Sequence, residues 1–229
     1  MSRTIVVGDI HGCYDELVSL LEVVGLDADD RVVAVGDLVT KGPKSREVLE
    51  LFRTDKRFLS VLGNHDLALL KYWRGEANSL KNSQVATATE LESDWRMYCK
   101  FLGSLPLIVD LDSHLVVHAG LRPGIPLGEQ SAEDLTELRT LGKDRTSRKG
   151  IPWYEAYESE QTVLFGHWPT LEPIRKARVI GLDTGCVYGN RLTSYVIEAD
   201  QMVSVPSLQA YDRPSKRLRK AGSNSSGLH

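Results

Sequence analysis

The most constraining feature of this sequence is a pattern that occurs five times: a short apolar run followed at once by a tight turn carrying Asp, Asn or His. The five copies lie at residues 6–12, 35–42, 62–66, 116–120 and 164–168. Short apolar or β-branched runs bounded by glycine are typical of buried strands. The sequence therefore predicts a sheet protein whose polar side chains are gathered at strand ends.

The first third of the chain alternates strands with helices. Strands are predicted over 4–7, 31–35 and 58–62, and the intervening segments carry apolar residues at helical spacing. This order implies right-handed crossovers and a parallel sheet, with the turns of Asp9, Asp37 and Asn64 at its carboxyl edge. We predict an α/β fold with a ligand site at that edge.

The second half of the chain is richer in strands. Residues 107–109 and 115–117 flank Asp112-Ser113 and predict a hairpin leading to His118, and residues 131–141 predict a helix. The runs 162–165, 178–182, 192–197 and 202–205 are closely spaced and bounded by turns, which favours antiparallel pairing. Two sheets are expected, one mostly parallel and one largely antiparallel.

The domain organisation follows from the spread of the five motifs. They span most of the 229 residues, so a single catalytic domain over 1–212 is expected. Residues 76–104 are polar with helical propensity and predict a cap-like helical insertion. Residues 213–229 contain a basic cluster and then a Ser/Gly run, and predict a disordered tail.

Composition excludes several classes of protein. A net charge of −3 gives no polycationic field for nucleic acid, and no apolar run approaches the length of a membrane span. The N-terminus lacks a signal-peptide pattern, and the three cysteines, Cys13, Cys99 and Cys186, lack paired metal-ligand spacing. We expect a cytoplasmic protein with reduced thiols, no nucleic-acid partner and no membrane contact.

The turn residues suit a metal centre. Asp9 and His11 are two residues apart and can face one cation, and Asp37 from the adjacent strand has two oxygens with which to bridge to a second. Nitrogen and oxygen ligands without thiolate favour manganese, iron, cobalt, nickel or zinc in a reactive site. Any one of these residues alone is more often structural, but the six occur together at strand ends: Asp9, His11, Asp37, Asn64, His118 and His167.

The ordered motifs Gly-Asp-Ile-His-Gly, Gly-Asp-Leu-Val-x-Lys-Gly, Gly-Asn-His-Asp, His-Ala-Gly and Gly-His-Trp resemble those of the calcineurin-like metallophosphoesterases. This resemblance implies a four-layer αββα sandwich of two mixed sheets with helices outside. It also implies two divalent metal ions, with Mn²⁺ expected first and Co²⁺ as an alternative. Asp9 and His11 would hold the first ion, Asp37 would bridge, and Asn64, His118 and His167 would hold the second.

Within that family the sequence looks most like the bacterial symmetrical diadenosine tetraphosphatases, through Phe-Gly-His-Trp and Leu-Asp-Thr-Gly-Cys. The protein-phosphatase branch usually has Asp and Arg where this chain has Thr40 and Lys41. We therefore predict a metal-dependent enzyme that hydrolyses a small dinucleoside polyphosphate, diadenosine tetraphosphate, symmetrically to two ADP. The alternative is a protein serine/threonine or tyrosine phosphatase that uses the same metal centre on phosphoproteins. A non-catalytic module on this fold is the least favoured reading, because all six ligands are present.

The resemblance and the chemistry of phosphate esters assign further roles. His65 would protonate the leaving oxygen as the catalytic acid, while Lys41 and Arg139 would bind phosphoryl oxygens as substrate-binding residues. For Arg139, a solvated charge on a helix is an equally good interpretation. Adenine could stack on Trp153 and Tyr154 or on Tyr72 and Trp73, although aromatic residues at such positions more often belong to the core.

Overall fold

Two five-stranded sheets form the centre of the computed structural model, which describes residues 2–213. The strands are β1 (Thr4–Val7), β2 (Arg31–Ala34), β3 (Phe58–Ser60), β4 (Ile108–Leu111), β5 (His114–Val117), β6 (Thr162–Phe165), β7 (Ile174–Lys176), β8 (Val179–Gly181), β9 (Arg191–Val196) and β10 (Gln201–Pro206). The helices are α1 (Tyr14–Val24), α2 (Ser45–Thr54), α3 (Asn64–Trp73), α4 (Asn82–Glu90), α5 (Trp95–Leu102) and α6 (Ala132–Glu137).

The first sheet has the strand order β10-β9-β1-β2-β3. Strands β1, β2 and β3 are parallel, as the alternation of strands and helices predicts, and α1 and α2 form the crossovers. Strands β9 and β10 add an antiparallel pair on the other side of β1. The carboxyl ends of β1, β2 and β3 therefore lie side by side at one edge.

The second sheet has the order β4-β5-β6-β8-β7, and the expectation that it is largely antiparallel is wrong. The predicted hairpin of β4 and β5 is present, but β5, β6 and β8 are parallel neighbours. The short strand β7 pairs antiparallel with β8 at the edge, so the chain reverses there before β8 pairs with β6. Close spacing along the sequence did not reveal this, because it does not say which strands become neighbours.

The two sheets pack face to face through a layer of buried aliphatic side chains. Val6, Val33 and Val61 of the first sheet face Val116 and Leu164 of the second. Helices α1 and α2 cover the outer face of the first sheet, with Leu17, Leu20 and Leu49 fully buried there. On the outer face of the second sheet the cover is thinner and consists of α6 and the loop around the buried Trp153. The architecture is the four-layer αββα sandwich with two mixed sheets.

Residues 76–104 contain α4, a short 3-10 turn (Glu92–Asp94) and α5. Arg46, at the start of α2, ties this segment to that helix: its guanidinium donates to Asp94 Oδ2 at 2.7 Å and to the Glu90 carbonyl at 2.6 Å. Tyr98 adds a hydrogen bond to Glu50 at 2.8 Å. These contacts hold the helical segment against α2.

Three further comparisons with the sequence-based expectations concern the helix after the β4–β5 hairpin, the tail and membrane-spanning segments. The helix predicted over 131–141 ends at Glu137, because Leu138 turns to an extended backbone (φ −64°, ψ 122°). The tail predicted beyond Arg213 lies outside the described residues. Within residues 2–213, no helix combines the length and the apolar character needed to cross a membrane.

Candidate metal and active site

The carboxyl ends of both sheets meet at one place, and the six predicted metal ligands converge there. Asp9, Asp37 and Asn64 follow the parallel strands β1, β2 and β3, whereas His118 and His167 follow β5 and β6. His11 lies in the same turn as Asp9. Five of the six line a cavity of about 540 Å³. The sixth, His118, is fully buried in the same cluster, with a ring nitrogen within 4.8 Å of oxygens of Asp9 and Asp37.

Asp37 lies between two imidazoles. Its Oδ2 atom is 3.5 Å from His11 Nε2 and 3.5 Å from His118 Nε2, while its Oδ1 atom accepts the backbone N–H of His65 at 2.8 Å. One oxygen thus faces ring nitrogens on both sides while the other is fixed by the β3–α3 turn. This is the arrangement required of a carboxylate that bridges two cations.

The orientation of the two flanking imidazoles is fixed from behind by backbone carbonyls. His118 Nδ1 is 2.8 Å from the carbonyl oxygen of Val35, and His11 Nδ1 is 3.1 Å from that of Val39. A proton on Nδ1 leaves the lone pair of each Nε2 atom directed into the cluster. Histidines held in this way are typical metal ligands, because the second hydrogen bond sets both the tautomer and the ring orientation.

Asn64 completes the cluster on the side of the second sheet. Its Oδ1 atom lies 3.0 Å from His118 Nε2 and 2.8 Å from His167 Nδ1. Because His118 Nε2 carries a lone pair, it and the amide oxygen are two acceptors facing each other. A cation between them would turn this unfavourable contact into coordination, so the donor set fits a divalent metal ion.

Asp9 fastens the first sheet to the second. The backbone N–H of His167 lies 3.2 Å and 3.1 Å from its two oxygens. A Cβ atom at Gly166 would be 1.9 Å from Asp9 Oδ1, so glycine is required for this close approach. The Gly-His turn after β6 is thus built around the first carboxylate of the cluster.

Burial gives the ionisable groups of the cluster unusual protonation behaviour. Desolvation is the largest cause in each case: it raises the pKa of Asp9 well above its usual range and that of Asp37 to about 6, and it lowers the pKa of His118 to about 4. The pKa values of His11 and His167 are also lowered well below the usual range. The imidazoles are therefore neutral, and the carboxylates lack enough nearby positive charge to compensate for their burial. An incoming cation would bind the neutral imidazoles and stabilise the ionised carboxylates.

The backbone of the site is strained. Within residues 2–213, seven non-glycine residues have positive φ, and five of them are in or beside the cluster: His11, Asp37, Thr40, Lys41 and His167. Left-handed backbone is costly for such residues and persists only where surrounding contacts impose it. Here those contacts include Asp66, whose oxygens accept the backbone N–H groups of Leu38, Val39 and Gly63 at 3.3, 3.3 and 3.1 Å.

His65 lies next to the cluster, with its side chain partnered by a hydroxyl. Its Nδ1 atom is 2.8 Å from Thr40 Oγ1, and its ring packs edge-on against that of His11 at 4.9 Å between centroids. Burial first, and then the positive charge of Lys41, holds the pKa of His65 well below its usual value. Thr40 therefore orients the imidazole without supplying the negative charge of a carboxylate.

The two predicted phosphate-binding cations both reach the cavity. Lys41 Nζ is 2.9 Å from His11 Nε2 and 5.3 Å from the centre of the Tyr188 ring. Arg139 follows α6 and is not on the helix; its guanidinium donates to the His167 carbonyl at 3.2 Å, and its Nε atom is buried without a partner. The interpretation of Arg139 as a solvated helix charge is wrong, because the early end of α6 turns it inward.

Comparison with known proteins agrees with this geometry. The family model for calcineurin-like phosphoesterases matches residues 2–210. The chain belongs to this family. The family uses a dinuclear divalent metal centre, which the six converging donors fit.

The relatives within the family are named bis(5'-nucleosyl)-tetraphosphatases, and their names give two cleavage patterns, symmetrical and asymmetrical. The chain is 31% identical to the bis(5'-nucleosyl)-tetraphosphatase PrpE (asymmetrical) of Bacillus subtilis, over 90% of this chain and 96% of that protein. It is also 31% identical to the symmetrical bis(5'-nucleosyl)-tetraphosphatase of Vibrio parahaemolyticus, over 90% and 99%. A crystal structure of a candidate diadenosine tetraphosphatase superposes with a TM-score of 0.79 at 35% identity, covering 90% of this chain and 94% of the other.

Several cavity residues were missed by the sequence-based interpretation, among them Lys81, Arg148, Asp183 and Tyr188. Asp183, two residues after β8, lines the cavity, and Tyr188 is an aromatic residue in its wall. Burial raises the pKa of Asp183, and the hydrogen bond that its carboxylate accepts from the Gly185 N–H only partly offsets this shift. Asp183 repeats the pattern of an apolar strand running into an acidic turn, so the same signal that found Asp37 was present for it.

The aromatic residues considered for adenine stacking lie elsewhere. Trp153 is fully buried against Phe165, with 5.1 Å between ring centroids, and belongs to the core. Tyr154 packs on Phe165 and Trp168 in the same cluster. Tyr72 and Trp73 line a separate groove between α3 and the helical segment. None of the four lines the cavity that contains the predicted metal ligands.

Two of the cysteines meet in space although they are far apart in sequence. The sulfur atoms of Cys13 and Cys186 and an oxygen of Glu16 lie within 4.8 Å of one another, and both cysteines are free and buried. Glu16 Oε1 accepts hydrogen bonds from the Leu208 N–H at 3.0 Å and the Tyr211 hydroxyl at 2.9 Å. The group therefore fastens the C-terminal segment to α1 behind the turn of His11.

Proposed function

We propose that the protein hydrolyses diadenosine tetraphosphate, or a closely similar dinucleoside polyphosphate, symmetrically to two nucleoside diphosphates. The observation that carries the proposal is the cavity itself. Its floor is the cluster of carboxylates and imidazoles, and its walls bear four cationic side chains, Lys41, Lys81, Arg139 and Arg148. A phosphomonoester offers one phosphoryl group, whereas four cations suit a chain of phosphates. The names of the relatives support the same substrate class.

The residues divide the work of hydrolysis by position. Asp9, His11 and Asp37 would hold one metal ion, and Asp37, Asn64, His118 and His167 would hold the other. When bound, the two ions supply charge neutralisation at the phosphoryl oxygens and activation of water. Lys41 and Arg139 would hold the phosphoryl oxygens in place, each from one wall of the cavity. His65 would donate its proton to the oxygen that leaves.

The low pKa of His65 is compatible with this role once substrate is bound. Without substrate, burial and the charges of Lys41, His118, Lys81 and Arg139 favour the neutral ring. A polyphosphate brings several negative charges to the same place and so favours the imidazolium.

The bond that is cut is the finer part of the proposal. Cations lie near both His65 and His167. Lys41, Lys81 and Arg139 act on His65, and Arg139, with Arg148 close to it, also donates to the His167 carbonyl. Such a placement supports attack at an internal phosphate with phosphates on either side, as symmetrical cleavage requires. The relatives include both symmetrical and asymmetrical enzymes at similar identity, so the products decide.

Product analysis tests the proposal. Purified protein is incubated with Mn²⁺ and diadenosine tetraphosphate, and the nucleotides are separated by chromatography. The proposal expects ADP alone, with a kcat/KM well above that for a phosphoserine peptide. ATP and AMP in equal amounts would replace the symmetrical assignment by the asymmetrical one. Preference for the phosphopeptide would replace it by a protein phosphatase.

A double substitution at Thr40 and Lys41 tests whether these two residues determine the substrate class. Thr40 Oγ1 already contacts His65 Nδ1 at 2.8 Å, so Thr40→Asp would place a carboxylate beside the imidazole, and Lys41→Arg would supply a two-pronged donor. The double variant is expected to gain activity on phosphomonoesters relative to the dinucleotide. An unchanged ratio would show that this pair does not set the choice of substrate.

A further inference from the structure

We propose that Lys81, with Ser83 beside it, binds the phosphates of the leaving nucleotide and makes the helical segment of residues 76–104 a specificity element of the site. The inference rests on the proposed function, since it concerns which part of a dinucleoside polyphosphate the segment contacts. It assigns a role to side chains that lie outside the metal ligands and outside the phosphate-binding pair Lys41 and Arg139.

The first support is position. Lys81 immediately precedes α4, and both Lys81 and Ser83 line the cavity that holds the predicted metal ligands. The backbone at this point is fixed, because the Lys81 N–H donates to Gln84 Oε1 at 2.9 Å and the Lys81 carbonyl accepts the N–H groups of Gln84 and Val85 at 2.9 Å. A fixed backbone places the ammonium at the cavity while leaving its long side chain adjustable.

The second support is that the charge of Lys81 is uncompensated. No ion pair joins its ammonium to a carboxylate of residues 2–213, whereas Lys44 and Lys176 each have such a partner. A cation that faces a cavity and lacks a protein partner is available to an anionic ligand.

The third support is the side of the cavity on which Lys81 lies. Its charge is among those that act on His65, the proposed proton donor to the leaving oxygen. Arg148 instead acts on Arg139, which is bonded to the carbonyl of His167 on the other side. Lys41 and Arg139 also act on His65, but both are assigned to the phosphoryl group under attack. Lys81 is therefore the remaining cation near His65, where the leaving group must depart.

The distribution of acidic residues agrees with this direction. Asp183 and Asp212 also line the cavity, and both act on Tyr188 in the wall near Lys41. They therefore make the Tyr188 side less favourable for additional phosphates. The His65 side has Lys81 and Ser83, which offer a positive charge and a hydroxyl to the second phosphate of a leaving diphosphate.

The test compares two substrates that differ in their leaving group. The leaving group of diadenosine tetraphosphate is a nucleoside diphosphate, whereas that of p-nitrophenyl phosphate is a nitrophenolate, which carries no phosphate. Lys81→Ala is expected to lower kcat/KM for the tetraphosphate by about ten- to a hundredfold, the range for loss of one charge-assisted hydrogen bond, and to change it less than about twofold for the nitrophenyl ester. Lys81→Arg should restore most of the loss.

Lys100→Ala is the matched control, because Lys100 is an exposed lysine in the last turn of α5 and does not line the cavity. It should leave both substrates unaffected. An equal loss on both substrates in Lys81→Ala would mean that Lys81 acts on the metal cluster or on His65 and not on the leaving group. No loss on either substrate would also overturn the inference.

Failure of the proposed function gives a different pattern. If the wild-type protein hydrolyses the nitrophenyl ester but not the tetraphosphate, the proposed substrate is wrong. The Lys81 site is then measured by inhibition of the nitrophenyl reaction at fixed free Mn²⁺. Lys81→Ala should weaken inhibition by ADP about tenfold while leaving inhibition by orthophosphate unchanged. Parallel changes for the two inhibitors would refute the site independently of the substrate.

Discussion

His65 is the residue whose role can be separated most cleanly from metal binding. Its ring is hydrogen-bonded to Thr40 and packs against that of His11, and one of its ring nitrogens lies within 4.8 Å of a carboxylate oxygen of Asp37. The 3.5 Å contacts of Asp37 Oδ2, however, are with His11 and His118. We predict that His65→Asn lowers kcat on diadenosine tetraphosphate by about two to four orders of magnitude while metal content stays near two per chain. Steady-state kinetics and elemental analysis of the same sample measure both quantities.

A leaving group that needs no proton provides the control for this prediction. Nitrophenolate departs as a stable anion, so the loss in His65→Asn should be much smaller for p-nitrophenyl phosphate. If the variant instead loses its metal, His65 is a ligand and not the proton donor.

At this scale the sequence alone predicted most of the residues that converge at the cavity. The six predicted ligands, His65 and Lys41 all belong to strand-end motifs, and the fold brings all of them together. The sequence did not decide the role of Arg139, because its orientation depends on where α6 ends. The backbone becomes extended at Leu138, and the Arg139 N–H then bonds to the Arg145 carbonyl at 2.7 Å instead of continuing the helix. Lys81 carried no signal at all, since nothing in a polar helical segment tells which lysine faces a cavity.

The position of the turn between β3 and α3 depends on Gly63, which has no side chain. A Cβ atom at Gly63 would be 2.2 Å from both the backbone nitrogen and Oδ1 of Asp37. Gly63→Ala must therefore push the turn and its Asn64 away from the bridging carboxylate. We predict that this variant loses at least one metal ion per chain and about two or more orders of magnitude in kcat/KM, because misplacement by an ångström is enough for such a loss.

Gly142→Ala is the matched control for the turn. Gly142 lies in an open loop where an added Cβ meets nothing within 4 Å. Metal content by elemental analysis and activity should both stay at the wild-type level. Retention of both metal ions and full activity by Gly63→Ala would show that the turn can shift without disturbing the site.

Element pairing was the part of the fold that the sequence predicted least well. The parallel order of β1, β2 and β3 followed from long helical crossovers, which leave few topologies. The second sheet was misjudged because β7 is only three residues long and reverses the chain before β8. Short connections are compatible with either parallel or antiparallel pairing, so packing decides between them. Ile180 and Leu182 are buried between the two sheets, and Val163 is buried on the outer side of the second sheet.

At the scale of the whole molecule, the buried carboxylates couple folding to pH. Burial raises the pKa of Asp37 from 3.8 to about 6, so the folded, metal-free protein holds this proton more tightly than the unfolded chain does. Between pH 4 and pH 6 the folded state therefore loses stability as pH rises, and the full penalty applies above pH 6. We predict that metal-free Asp37→Asn is more stable than metal-free wild type by about 2–3 kcal/mol at pH 7, and that the difference disappears near pH 4.

Urea unfolding of both chelator-treated proteins at several pH values measures this difference. Asp29→Asn, at an exposed carboxylate, should follow wild type at every pH. A difference between Asp37→Asn and wild type that does not change from pH 4 to pH 7 would contradict the assignment of the penalty to Asp37. The same variant should lose activity, since an amide cannot bridge two cations as a carboxylate does.

Metal removal should loosen the sandwich as a whole as well as stop catalysis. The proposed ligands come from both sheets, with Asp9, Asp37 and Asn64 on one and His118 and His167 on the other, so bound metal would link the two layers at their shared edge. Each ion present at a hundred times its dissociation constant stabilises the folded state by about 2.7 kcal/mol. Dialysis against a chelator is expected to abolish hydrolysis and lower the melting temperature, and Mn²⁺ or Co²⁺ should restore both better than Mg²⁺, because imidazole and amide donors suit them better. Full activity after exhaustive chelation, or a melting temperature unchanged by added Mn²⁺, would rule out a metal centre that joins the sheets.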